Sequence, residues 1–256
     1  MTDFNIVGIG NAVVDVIAHA DDSFLDLMGI EKGIMQLIET ERAQVLYAAM
    51  EDRLQAPGGS VANTIAGAGA LGLKTAFIGR VRDDALGRFY AETMEQEGSA
   101  FVNEPVADSD LPTSRSMIFV SPDGERSMNT YLGACVELGP EDIEPEKVAG
   151  SQITYFEGYL WDPPRAKEAI RLAASIAHEH NRQFAMTLSD PFCVDRYREE
   201  FLDLMRSGTV DIVFANEHEI KSLYQTASLE SAIDAARNDC KLAAITRSED
   251  GSMVVT

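Results

Sequence analysis

Ala56-Pro57-Gly58-Gly59-Ser60-Val61-Ala62-Asn63, followed by the small-residue run Thr64-Ile65-Ala66-Gly67-Ala68-Gly69-Ala70-Leu71-Gly72, marks a turn entering a helix. Two adjacent glycines remove side chains where a backbone must approach a ligand closely, and Asn63 stands where the helical pattern begins. Such a join suits a polar ligand held against a helix start. The same residues also read as a plain turn before a helix whose alanines and glycines serve close packing. The flanking sequence decides between the two.

On either side the chain alternates short apolar runs with longer helical patterns. Runs at 4–9, 75–81, 153–156, 184–188, 210–215 and 242–246 read as strands, several of them apolar on both faces as buried parallel strands are. Between them the periodicity predicts helices at about 41–53, 61–72, 85–97, 165–180, 196–207, 217–224 and 230–239. Asp162-Pro163-Pro164 supports one of these starts, because proline tolerates the first helical turn. The alternation predicts an α/β fold, a doubly wound and mostly parallel sheet flanked by helices. Runs at 13–19, 34–38, 115–120 and 126–132 do not fit it, and Ser121-Pro122-Asp123-Gly124 between the last two predicts a hairpin. These strands, within about 12–38 and 112–133, are expected to form a small β-sheet lid projecting from one edge. The alternative is that they extend the main sheet.

A chain of 256 residues with 45% hydrophobic content can bury one substantial core, so one domain spanning 1–256 is expected. No apolar stretch reaches the roughly 18–20 residues of a membrane span and the amino terminus lacks a signal pattern, which predicts a soluble, cytoplasmic protein. Forty-two acidic against 21 basic residues give a net charge of −21, which repels nucleic acid and anionic membranes; neither is an expected partner. An anionic cosubstrate therefore needs local positive potential. Cys135, Cys193 and Cys240 are odd in number and far apart, so they read as reduced packing residues and not as a disulfide framework or a zinc site.

Ligands of open α/β sheets bind beyond the carboxyl ends of the strands. Gly8-Ile9-Gly10-Asn11-Ala12-Val13-Val14-Asp15 puts an Asn and an Asp just after the first strand, without the third glycine or the helix start of a dinucleotide fingerprint. The pair could hydrogen-bond vicinal hydroxyls, or cap its own turn. Gly10-Asn11 with Asp15, Pro57-Gly58-Gly59 with Ala62-Asn63, and Gly79-Arg80-Val81 with Asp83, Asp84 and Gly87 together resemble the amino-terminal signature of the PfkB or ribokinase-like family of carbohydrate and nucleoside kinases. Asn216-Glu217-His218-Glu219 resembles that family's Asn-x-x-Glu motif, and residues 246–251 occupy the place of its nucleotide-contacting turn. Three local features are similar to adenosine kinases within the family: Leu188-Ser189-Asp190-Pro191-Phe192, Arg126-Ser127 ahead of Leu132-Gly133-Ala134, and Pro112-Thr113. Thr246-Arg247-Ser248 departs from the Thr-Leu-Gly common in sugar kinases.

The resemblance implies phosphoryl transfer from ATP to a primary hydroxyl, adenosine being the expected acceptor and ribose or fructose the alternative. A non-catalytic small-molecule-binding relative is the second alternative. Asn11, Asp15, Gly58, Gly59 and Asn63 would hold the ribose, with Met35, Leu37, Tyr159 and Leu160 lining an apolar cleft for the purine. Arg126 would neutralise charge on the transferred phosphate, and Asn216, Thr246 and Gly251 would contact the nucleotide. Glu219 would order water around Mg²⁺, although Asn216 and Glu219 equally make a reciprocal helix cap. A monomer or homodimer is implied. The family's second signature, Asp-Thr-x-Gly-Ala-Gly-Asp, with the catalytic base, does not occur in these residues, so the domain is expected to be incomplete at its carboxyl end.

Overall fold

The computed structural model describes residues 2–256. Its strands are β1 (Phe4–Ile9), β2 (Val13–His19), β3 (Met35–Leu37), β4 (Leu54–Gly58), β5 (Thr75–Ile78), β6 (Ser99–Phe101), β7 (Ser114–Val120), β8 (Arg126–Tyr131), β9 (Ser151–Glu157), β10 (Gln183–Thr187), β11 (Ile212–Asn216), β12 (Leu242–Thr246) and β13 (Ser252–Val255). The α-helices are α1 (Asp22–Met28), α2 (Thr40–Ala49), α3 (Ser60–Ala70), α4 (Ala85–Gln96), α5 (Pro145–Ala149), α6 (Pro164–Glu179), α7 (Pro191–Arg206), α8 (Glu217–Leu223) and α9 (Leu229–Asp239).

The larger sheet runs β13-β12-β11-β10-β9-β1-β5-β6, and every neighbouring pair is parallel except β12 with β13. Its central strands are apolar on successive residues because helices lie against both faces. On one face α6 presents Ala166, Ala169, Ile170, Ala173, Ala174 and Ala177, a stripe at three- and four-residue spacing, to Val7, Phe156 and Met186. On the other, α3 and α4 pack Val61, Ile65, Tyr90 and Met94 around Phe77. Gly8 in β1 permits that packing: a methyl group there would lie 2.5 Å from carbons of both Val61 and Ile65. The amino terminus of α3 is thereby drawn down onto the carboxyl end of β1.

The smaller sheet runs β3-β8-β7-β2-β4. β7 and β8 form the expected hairpin, with Gly124 at φ +87° and its N–H donating to Ser121 O at 2.8 Å. One face of this sheet packs Val14, Val16, Met117 and Phe119 against Leu25 of α1 and Ala43 and Leu46 of α2. Its other face looks toward the carboxyl ends of the larger sheet. The chain passes between the sheets at 10–12, at Gly59, at 112–113 and at 132–133.

Several local expectations are corrected. The turn expected before Gly59 is the edge strand β4, antiparallel to β2, so the smaller sheet draws a strand from outside 12–38 and 112–133. The helix expected at 41–53 stops at Ala49 to release that strand. Helix α7 starts at Pro191 and not at 196, because Asp190 caps it by accepting from Cys193 N at 2.7 Å and proline suits the first turn. Short elements α1, α5 and β6 add to the predicted set.

Candidate active site

Between the two sheets lies a cleft of about 780 Å³. Alternation along each strand turns Val13 and Asp15 of β2, Met35 and Leu37 of β3, Ser116 of β7, and Met128 and Thr130 of β8 into it from the smaller sheet. From below it is closed by Asn11, Gly59, Ser60, Asn63, Glu157 and Tyr159. Phe192 and the Asp162–Arg196 ion pair, 3.0 Å apart, stand at its edge. Met35, Leu37 and Phe192 expose 46, 60 and 78% of their surfaces, so the apolar wall is available to a ligand.

The two glycines of the opening motif have separate tasks. A methyl group on Gly58 would sit 2.4 Å from Asp15 Cγ; one on Gly59, whose φ is +108°, would sit 2.3 Å from Asn11 O. Gly58 therefore makes room for the carboxylate, and Gly59 lets the chain turn past the first crossing into α3. Burial raises the Asp15 carboxyl from its ordinary 3.8 to about 6, and the Arg126 guanidinium pulls the other way. Arg126 itself is exposed and does not line the cleft, so its reach to the site is electrostatic.

Asp84 and Gly87 also gain a physical account. Asp84 Oδ1 caps α4 by accepting from Gly87 N at 2.9 Å, and Oδ2 accepts from Thr113 N at 2.9 Å, tying the third crossing to the helix start. Gly87 can carry no side chain, since a Cβ would fall 1.9 Å from Arg82 O.

Asn11, Asp15, Met35, Leu37, Gly59, Asn63 and Tyr159 thus meet in one cleft, and Gly58 buttresses it. Leu160 does not join them. Residues 158–161 form a 3-10 turn that points Tyr159 toward the cleft and buries Leu160 completely in the core. Burial and the neighbouring Asp190 carboxylate hold the Tyr159 hydroxyl protonated well above its ordinary range.

Glu157 was not anticipated. It ends β9 at 1% exposure and accepts hydrogen bonds from Asn11 N, Asn11 Nδ2 and Val61 N at 2.9, 2.7 and 3.1 Å. Burial pushes its carboxyl up while these bonds oppose the shift. A lone acid closing an apolar strand was the available signal.

A second group gathers at the carboxyl ends of β11 and β12, where Asn216 and Thr246 are register partners. Gly251, at φ +83°, returns the chain to β13 after a turn in which Arg247 N donates to Gly251 O. Arg247 Nε is buried without a hydrogen-bond partner, 3.9 Å from Glu217 Oε2, and Arg247 Nη2 lies 3.4 Å from Asp250 Oδ2. Glu219 forms the reciprocal cap: Oε2 accepts from Asn216 N at 2.8 Å, Oε1 from Asn216 Nδ2 at 2.7 Å, and Asn216 Oδ1 accepts from Glu219 N at 2.9 Å. Among the described residues no three acidic, histidine or cysteine side chains gather as a metal cage.

The pfkB family carbohydrate kinase model matches residues 26–256. A probable sugar kinase from Rhizobium etli CFN 42 is 55% identical, with a TM-score of 0.92 over 100% of this chain and 77% of that one. The adenosine kinase of Sinorhizobium meliloti is 58% identical, with a TM-score of 0.90 over 98% of this chain and 77% of that one. Guanosine-inosine kinase of Escherichia coli K12 is 24% identical over 230 residues, which are 85% of this chain and 52% of that protein. The chain thus spans about half the length of this curated relative.

Proposed function

Because the chain belongs to the pfkB family of carbohydrate kinases, we propose that the protein transfers the γ-phosphoryl group of ATP to the primary hydroxyl of a nucleoside, converting adenosine to AMP. The observation that carries this reading is the composition of the cleft. Asn11 and Asn63 from below and Asp15 from the smaller sheet are offered to hydroxyl groups, while Met35, Leu37, Met128 and Phe192 are offered to a flat apolar ring. A sugar alone would leave those apolar side chains against water. The similarity to an adenosine kinase at 58% identity supports the same acceptor. The sugar-kinase reading is favoured by the 55% identity to a probable sugar kinase.

Phosphoryl transfer through a loose transition state asks the protein mainly for alignment and charge stabilisation. In this reading Asp15 and Asn11 accept hydrogen bonds from the ribose hydroxyls, Gly58 and Gly59 let the backbone approach them, and Phe192 stacks on the base. The smaller sheet closes as a lid, excluding water so that the acceptor hydroxyl attacks phosphorus. Arg126 adds positive potential near the transferred phosphate. Thr246, Gly251 and Asn216 line the path of the nucleotide, with Arg247 beside them. Magnesium would travel with the nucleotide, Glu219 facing it through water. No residue of this chain is assigned the role of base. Among the described residues no helix is long and apolar enough to cross a membrane; in this reading the protein works in the cytoplasm as a monomer or homodimer.

Calorimetric titration with adenosine, inosine, ribose and fructose tests the acceptor class. Adenosine is expected to bind most tightly; tighter binding of ribose or fructose replaces the nucleoside reading by the sugar one.

A further inference from the structure

Both carboxylate oxygens of Glu157 accept hydrogen bonds. Oε1 accepts from both the backbone N and the side-chain Nδ2 of Asn11, and Oε2 accepts from Val61 N, the second residue of α3. Asn11 lies in the chain's first crossing to the smaller sheet, and Val61 follows directly on the second. One buried carboxylate of the larger sheet thus fastens both crossings that frame Asp15.

The consequence for Asn11 is directional. A carboxylate only accepts, so the atom of the Asn11 amide turned toward it must be the nitrogen. Asn11 Oδ1 is left as the free atom: among the described residues nothing donates to it, and Asn11 lines the cleft. We propose that Glu157 is a positioning residue that holds Asn11 as a hydrogen-bond acceptor toward the cleft. The cleft then presents two acceptors, Asn11 Oδ1 and the Asp15 carboxylate, and selects substrates carrying hydroxyl donors at both places. This inference rests on reading the cleft as a nucleoside site. Glutamine cannot replace Glu157, since its NH₂ group must face either Asn11 or Val61, both of which donate.

The test compares wild type, Glu157→Gln, Asn11→Ala and the double variant. Without ligand, amide exchange at Asn11 and Val61 is expected to accelerate about tenfold or more in Glu157→Gln while β5 is unchanged; equal protection would overturn the tie. Calorimetry with adenosine, 2′-deoxyadenosine and 3′-deoxyadenosine reads the acceptor role. Wild type is expected to prefer adenosine over at least one deoxy analogue by about tenfold. That preference should collapse in Glu157→Gln and in Asn11→Ala, with no further loss in the double variant. Weakening of all three ligands alike, with preference retained, would mean that Glu157 is merely structural and would sink this inference alone. Failure of wild type to bind any of the three would overturn the nucleoside reading and the acceptor role together. Should Glu157→Gln not fold, Asn11→Ala keeps Val61 bonded to Glu157 and must by itself lose the preference.

Discussion

Gly58 lies against Asp15 so closely that a single added methyl group would stand 2.4 Å from the carboxylate carbon. The Gly58 carbonyl is held from behind by the buried Tyr90 hydroxyl, which donates to it at 3.0 Å, so the strand cannot retreat. Gly58→Ala is therefore expected to displace Asp15 and weaken adenosine binding by about tenfold or more, the value of one charge-assisted hydrogen bond. Far-ultraviolet circular dichroism should be unchanged, because β4 is an edge strand. Undiminished affinity would show that Asp15 does not depend on this contact.

Asp15 sets ligand binding against stability. Its folded pKa of about 6 lies above the ordinary 3.8, so the native state binds the proton more tightly than the unfolded chain. The stability contributed by this group is complete below about pH 3.8 and is lost as pH rises through about 6. Asp15→Asn removes a buried charge at almost constant shape and is expected to raise Tm at pH 7.5, by about 2–4 °C for each kcal/mol recovered. The gap between variant and wild type should widen from pH 4 to pH 7 and then level off. A gap that does not change with pH would contradict the burial of this carboxylate.

Arg126 should be felt through Asp15. Since the guanidinium lowers the Asp15 pKa, Arg126→Ala is expected to move the acidic midpoint of adenosine binding upward from about pH 6. In turnover by protein that carries the catalytic base, it should lower kcat more than it raises KM, because charge on the moving phosphate is its proposed partner. A midpoint that stays in place would confine Arg126 to the solvent.

Closure of the smaller sheet is measurable by amide hydrogen exchange. Adding the acceptor is expected to slow exchange in β2, β3, β7 and β8, while β1 and β11, fixed within the larger sheet, change little. Equal protection with and without acceptor would make the smaller sheet a fixed wall.

The larger sheet was legible in the sequence because its strands are buried on both faces and announce themselves as apolar runs. The smaller sheet was legible where turn chemistry helped, as at Asp123-Gly124, but β4 was hidden by Pro57. Proline is tolerated there because β4 lies at the sheet edge, a property of the tertiary arrangement and not of the segment. Leu160 was misplaced because a 3-10 turn, not the strand's alternation, sets which of residues 158–161 face the cleft. Glu157 stood out in the sequence only as a lone acid closing an apolar strand; its partners are 146 and 96 residues away, and no local pattern encodes that meeting. Asn216 and Glu219 supported two readings, and the hydrogen bonds between them are those of the helix cap.

Calorimetric titration of adenosine into wild type and Asp15→Asn at pH 7.5 tests the central claim, that the acceptor binds between the two sheets on Asp15. One equivalent is expected to bind wild type, and the variant should bind about tenfold or more weakly, as loss of roughly 1.5–3 kcal/mol from a charged hydrogen bond requires. Equal affinity in the two proteins would contradict the account.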